Sequence, residues 1–359
     1  VMSDLSAAFN LIKKEILVSQ LKIYGFNSKS RTLVHSYLSD CQTRCRIKEA
    51  ISGPETLHTG LSEGLVLGPC FFIVGLSSVN IVAQRTEKEL WRDHNIWVEA
   101  HTLEFADDTS SLLVCDTEED LQKAINLMFT KFQHYFNSMG MALNPDKCEL
   151  IIFRSKKARN TLTLPGGQKE VSTVKLLGLF IDSDYKFATH TDKVCNKLRY
   201  KLANIARVRP YISEDRAKLI TESLVLSTVN YMSVLYLRLP SNQKKIQKLV
   251  NRAMRIVLSA DKRSHIEDLN REIYWLNMAN NYEFQLIASM RRIRQRLMVT
   301  LVTFRDVFLN TDFTLYKLRS VHLRVQWRKF TSHGRNSFVF QSVQAYNRYE
   351  LNSNVSFEN

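Results

Sequence analysis

Long apolar runs are absent from this chain. Nowhere do about 18 apolar residues follow one another without a break, so no segment reads as a transmembrane helix and no membrane partner is expected. The opening residues hold no basic stretch leading into an apolar one, which argues against a secretory signal and places the expected site of work inside the cell, nuclear or cytoplasmic. Cysteine is scattered: Cys41, Cys45, Cys70, Cys115, Cys148 and Cys195 form no CxxC pair, and no Cys/His cluster has zinc-site spacing. Reduced thiols are therefore the expectation, not a disulfide framework or a zinc module. Internal repeats and low-complexity tracts are missing too.

What is present is a chain of 359 residues, 45% of them apolar, enough for one large domain or two to three ordinary ones, each with its own core. The net charge is +15, and its placement is uneven: residues 191 to 359 hold 29 Lys and Arg against 13 Asp and Glu, whereas residues 1 to 190 are close to neutral. This asymmetry suggests one half that grips a polyanion beside another that carries chemistry. A well-solvated basic helical surface is the alternative.

The stretch LEFADDTSSLLV, residues 103 to 114, sets two adjacent carboxylates between apolar runs. Leu103 to Ala106 and Thr109 to Val114 read as strands, with Asp107 and Asp108 at the turn between them. Asp is a favoured turn residue, so a solvated turn is one reading. The other is a divalent-cation site, because paired carboxylates repel unless protonated or bridged by cations, and such a site needs a third carboxylate. Asp4, at the end of an opening strand-like segment, supplies a candidate.

Along the chain, helical pattern is expected from Leu11 to Lys22 and from Lys29 to Leu38, followed by the basic strand-like TRCRIKEAI and a turn at Gly53-Pro54. Gly64 breaks structure, and Pro69 suits the first turn of an apolar helix. Arg85 to Asn95 reads as a charged surface loop. A helix with an acidic first turn leads to Gly140, and strands are expected at Cys148 to Phe153 and Val174 to Ile181. From His190 the pattern turns helical: Asp192 to Ala206, Ser213 to Leu237, Asn242 to Ala260 and Ile266 to Leu297, with no assignment after about Thr300. The order is an α+β layer pattern followed by helices.

Several ordered motifs resemble the reverse transcriptases of non-LTR (LINE-type) retrotransposons, nearest the jockey and chicken-repeat groups. Asp4 to Phe9 is similar to the first palm motif, D-x-x-x-A-F-D, and SYLSD at 36 to 40 to the segment after it. GLSEGLVLGP at 60 to 69 resembles G-V-P-Q-G-S-V-L-G-P, FADDT at 105 to 109 the metal-binding hairpin, and LNPDKCELIIF at 143 to 153 the next motif. VKLLGLFID at 174 to 182 resembles the primer-grip hairpin, and KKIQKLVNRAMRIV, HIEDLN and YWL the helical region beyond the palm.

The resemblance implies an α+β polymerase palm, an antiparallel sheet with packed helices and incomplete fingers, followed by an all-helical thumb-like region. The expected division is residues 1–189 for the palm with its primer-grip hairpin, 190–299 for basic thumb-like helices and 300–359 for a tail. The implied activity is RNA-directed DNA polymerisation onto a primer 3′-hydroxyl. Its partners would be an RNA template, a DNA primer or target and deoxynucleoside triphosphates; its cofactor, two Mg²⁺ ions or Mn²⁺.

Residue by residue, the resemblance makes Asp4, Asp107 and Asp108 the metal ligands and Lys147 a proton donor to pyrophosphate. Phe9, Glu63 and Gly64 would line the nucleotide site, Phe9 where a ribose 2′-hydroxyl would lie. For the nucleic-acid grip the candidates are Lys175, Arg291, Arg292, Arg294, Arg296, Arg324, Arg328 and Lys329, with Trp327 either stacked on a base or buried. The chain departs from the family at Asn10, Lys13-Lys14, Cys41, Ser62, Glu63 and VGLSS, and no Gly-rich loop stands in for a fingers phosphate site. A catalytically silent, nucleic-acid-binding remnant is therefore the second expectation.

Overall fold

The computed structural model describes residues 1–3, 5, 6, 8–61, 65–154, 161–168, 170–294, 341, 342, 344–346 and 348. They fall into two compact units, residues 1–174 and 175–359. Among the described residues no helix is long and apolar enough to cross a membrane.

In the first unit, β1 (Met2–Ser3) and β2 (Leu5–Ser6) lead into α1 (Ala8–Leu11), α2 (Lys14–Ile23) and α3 (Ser28–Leu38). Asn27 starts α3 by accepting the Ser30 N–H at 2.8 Å. An exposed ribbon follows, β3 (Gln42–Thr43) paired with β6 (Glu55–Thr56) and β4 (Arg46–Ile47) with β5 (Ala50–Ile51). The apolar α4 (Gly68–Leu76) has Pro69 in its first turn, as expected.

Arg85 to Asn95 is not a loop. It belongs to α5 (Val79–His94), which Asn95 ends in the left-handed conformation at φ 53°. Val79, Ala83, Thr86 and Leu90 are buried at helical spacing, and the charges that suggested a loop form the solvent face. Then come β7 (Glu99–Phe105), β8 (Asp108–Val114) and α6 (Glu118–Ser138). The Thr117 hydroxyl caps α6 by accepting the Asp120 N–H at 3.1 Å, and three acidic residues occupy the first turn, where the helix dipole favours them.

β1, β8 and β7 form a three-stranded antiparallel sheet in that order; β9 (Ala142–Leu143) pairs with β2. Cys148 to Phe153 forms no regular strand and contributes only bridges from Glu149 to Met2 and from Leu150 to Glu170. Phe72, Leu76, Ile125, Met128, Phe132 and Phe136 centre the core.

A hairpin, β10 (Thr173–Leu176) and β11 (Leu179–Asp182), lies where the second unit begins, and Leu179 joins that unit's core. The helices are α7 (Ala188–Val208), α8 (Glu214–Thr221), α9 (Ser227–Asn230), α10 (Ser233–Tyr236), α11 (Pro240–Val257), α12 (Ile266–Ile273) and α13 (Met278–Arg294). Two expected helices are broken. Ser213 to Leu237 passes through a π-helical turn, Glu222–Leu226, and a reversal at Met232 (φ 54°); Ile266 to Leu297 is cut at Tyr274 (φ 59°). Neither break has Gly or Pro. Tertiary packing makes them: the Trp275 indole N–H donates to Glu222 at 2.8 Å, and the buried Tyr236 hydroxyl to the Val229 carbonyl at 2.7 Å.

β11 is tied firmly to α7. The Asp182 carboxylate accepts the Ala188 N–H at 2.6 Å, capping the helix from a distance. The buried His190 accepts the Phe180 N–H at 3.3 Å, and burial pushes its pKa down to about 4, so it stays neutral.

Candidate active site and nucleic-acid interface

The β7–β8 hairpin is closed by a two-residue turn, Ala106-Asp107, with Ala106 at φ 53° and Phe105 paired with Asp108. Asp107 and Asp108 are both exposed at this tip. Strand alternation then separates two faces. Asp108 shares the outer face with Phe105, Leu103 and Leu112, all substantially exposed. The inner face carries Thr102, Glu104, Thr109 and Ser111, with Glu104 directly opposite Thr109.

This inner face includes a residue the motif reading passed over. Glu104 Oε1 and Thr109 Oγ1 are buried and unpartnered, and burial pushes the Glu104 carboxyl up to about 7. The signal was available in the period-2 pattern, which aims Glu104 at the helices whenever Phe105 faces out.

The described residues next to position 4 connect two elements that carry site candidates. β1 runs antiparallel to β8 with Ser3 opposite Thr109, one residue from Asp108. β2 pairs with β9, Leu5 opposite Leu143 and Ser6 opposite Ala142, and Met2 exchanges two hydrogen bonds with Glu149, at 2.8 and 3.0 Å. Between Leu143 and Glu149 lies the short 3-10 turn Pro145–Lys147, with Lys147 exposed. The segment from Met2 to Ser6 thus has the aspartate hairpin on one side and the Lys147 turn on the other. Asp4 itself lies outside the described residues.

Phe9 is held from three directions. Its ring stacks on the fully buried Phe72, centroids 4.1 Å apart and planes 13° from parallel. Its carbonyl accepts the Leu61 N–H at 2.8 Å, and the Thr59 hydroxyl donates to the Asn10 carbonyl at 3.3 Å. Gly60 permits that approach: at φ 78°, a Cβ there would stand 2.5 Å from the Asn10 carbonyl oxygen. Gly140, at φ 84°, does the same on the other side, 2.8 Å from the Leu11 oxygen.

Glu63 and Gly64 lie outside the described residues, as do Arg296, Arg324, Trp327, Arg328 and Lys329. Lys175 is exposed on β10, and Arg291 and Arg292 near the end of α13; Arg294 is that helix's last residue. Arg291 borders a groove lined by Leu276, Phe284, Ile287 and Ala288, so the cation sits beside apolar surface.

The donor chemistry suits a hard divalent cation: Asp107 and Asp108 offer carboxylate oxygens at an exposed tip, the ligands Mg²⁺ prefers. Among the described residues no three His, Cys, Asp or Glu side chains gather into a metal cluster.

Two comparisons bear on this arrangement. The family described as reverse transcriptase (RNA-dependent DNA polymerase) matches residues 1–181. A curated relative, the retrovirus-related Pol polyprotein from type-1 retrotransposable element R2 of Popillia japonica, is 22% identical over 193 residues, 51% of this chain and 30% of the relative. The chain therefore spans about a third of the length of that relative. With the family matching just over half of the chain, the chain belongs to the reverse transcriptase (RNA-dependent DNA polymerase) family.

Proposed function

We propose that this chain carries the nucleotidyl-transfer site of an RNA-directed DNA polymerase that extends a primer 3′-hydroxyl along an RNA template. The first unit would serve as palm and the helices of the second as thumb. The observation that carries the proposal is the register of residues 2–6 between the Asp107-Asp108 hairpin and the Lys147 turn, inside the span that matches the family.

Asp4, Asp107 and Asp108 are the residues that would hold two Mg²⁺ or Mn²⁺ ions, which when bound supply activation of the primer hydroxyl and charge neutralisation at the departing pyrophosphate. The hairpin presents its carboxylates outward on a paired, two-stranded support. Lys147 would donate the proton to pyrophosphate. Phe9, braced by Phe72, would close the space beside C2′ of the incoming nucleotide against a hydroxyl, and Glu63 and Gly64 are the other residues proposed to bind that nucleotide. Lys175, Arg291, Arg292, Arg294, Arg296, Arg324, Arg328 and Lys329 would hold phosphates of template and primer.

The test is primer extension with an RNA template, an annealed DNA primer, deoxynucleotides and Mg²⁺, run beside Asp107→Asn. Extension by the parent and none by the variant, with duplex affinity unchanged, is expected. Loss of extension and binding together would remove the dedicated metal role from Asp107. A folded parent that binds duplex and extends nothing in Mg²⁺ or Mn²⁺ would establish the second reading, a silent nucleic-acid-binding remnant.

A further inference from the structure

The outer face of α7 carries residues that none of the motifs accounts for. Lys193, Lys197, Tyr200, Asn204 and Arg207 recur at spacings of four, three, four and three. At 100° per residue they fall within one narrow stripe, about 21 Å long, opposite the buried Val194, Cys195, Leu198, Leu202 and Ile205. All but the half-buried Asn204 are exposed, and Tyr200 is 71% exposed. Tyr200 thus holds most of its ring open to solvent, in the middle of a helix whose other side fills the core.

The electrostatics point the same way. α7 holds five Lys and Arg and one acid, Asp192, which is already engaged by Lys245 of α11 at 2.7 Å. α11 has five Lys and Arg and no acid; Lys244, Lys248 and Arg252 are exposed. The two helices run parallel: Asp192 meets Lys245 near their N-termini, and the Arg209 guanidinium beyond the C-terminus of α7 donates to Val257, the last residue of α11, at 2.8 Å. Their basic faces therefore extend side by side. Lys193 also lies 5.2 Å over the Phe180 ring, at the hairpin end of the stripe.

We propose that this face of α7 is a binding track for single-stranded nucleic acid, with Lys193, Lys197 and Arg207 on the phosphates and Tyr200 as a stacking platform for an unpaired base. Charge complementarity selects a polyanion. Tyr200 selects a strand with a free base face, because the bases of a duplex are already stacked on one another. None of these residues is among those placed above on primer and template, and the track does not require nucleotide incorporation.

Fluorescence anisotropy tests it on the full chain, with a labelled oligouridine of about 12 nucleotides and an RNA–DNA duplex of equal length. Tyr200→Ala is expected to loosen oligouridine about 5- to 150-fold, the measured worth of one stacked base, while duplex affinity stays within about twofold. Tyr200→Phe keeps the ring and should bind like the parent. Lys197→Gln and Arg207→Gln should each flatten the salt dependence of oligouridine binding by about 0.7 in log–log slope. Unchanged thermal unfolding of Tyr200→Ala excludes a folding defect. The proposal is overturned if the parent fails to bind oligouridine, if Tyr200→Ala weakens neither ligand or both alike, or if poly-glutamate competes regardless of residue 200, which would assign the face to an acidic protein. Failure of primer extension alone would leave the track standing.

Discussion

Glu104 presents its carboxyl to the inside of the sheet without a partner, and burial lifts it from an ordinary value near 4.5 to about 7. The folded state thus holds that proton more tightly than the unfolded chain. Its contribution to stability is full below about pH 4.5 and is lost as pH rises through about 7. Because the side chain is only half-buried, solvent screening holds the loss to about 1–2 kcal/mol, not the roughly 3 that a fully desolvated shift of this size implies. Glu104→Gln, which cannot ionise, is expected to flatten the melting temperature between those limits and to exceed the parent at about pH 8, as calorimetry across pH would show. A parent whose stability rises through that window would contradict the burial. At this scale the hairpin with Asp107 and Asp108 at its tip was legible, because the two carboxylates interrupt two short strand-like runs. It passed over Glu104 and Phe72, whose importance depends on which strand face and which helix they meet.

Turns and caps decide how the elements meet. Gly60 is the position where the 57–61 loop passes over Asn10, and no L side chain fits there. Gly60→Ala is expected to destabilise by more than about 1 kcal/mol, read from urea unfolding, and to release the Phe9–Phe72 stack. Asp182→Ala removes the remote cap of α7 and is expected to cost about 1 kcal/mol. Elements bounded by such local signals were legible: Pro69 opens α4, and the acidic first turn and Gly140 bracket α6. The breaks at Met232 and Tyr274 were not, since ordinary residues adopt the left-handed conformation there only because Tyr236 and Trp275 are pulled into the core. The Arg85 to Asn95 misreading has the opposite origin: charge on one helix face hid the apolar spacing on the other.

At the scale of the molecule, charge and core separate along the chain. Each core is built from residues of its own unit, and the basic excess belongs to residues 191 to 359. A protein that neutralises about six duplex phosphates loses roughly a thousandfold in affinity between about 50 and 200 mM salt. Duplex binding by this chain is expected to fall that steeply in equilibrium titrations, and a salt-independent affinity would show that the basic helices are not the grip. Charge segregation was plain in the composition, as was the α+β order before the helices. Pairings between distant strands were not, because nothing local in Met2 or Ser3 names residues 110 and 109 as partners.

Those pairings carry a consequence for how the chain acquires its structure. β7 and β8 are neighbours in sequence and can zip within microseconds of being free to do so. Met2, by contrast, must find Ser110 and Glu149, more than a hundred residues away. At about 5 to 20 residues per second of synthesis, Met2 waits roughly 7 to 30 s on the ribosome before Glu149 exists at all. Helices and hairpin can form during that interval; the arrangement that sets Met2 and Ser3 against the aspartate hairpin comes last, and it is the part that a slowed or interrupted synthesis would leave unmade.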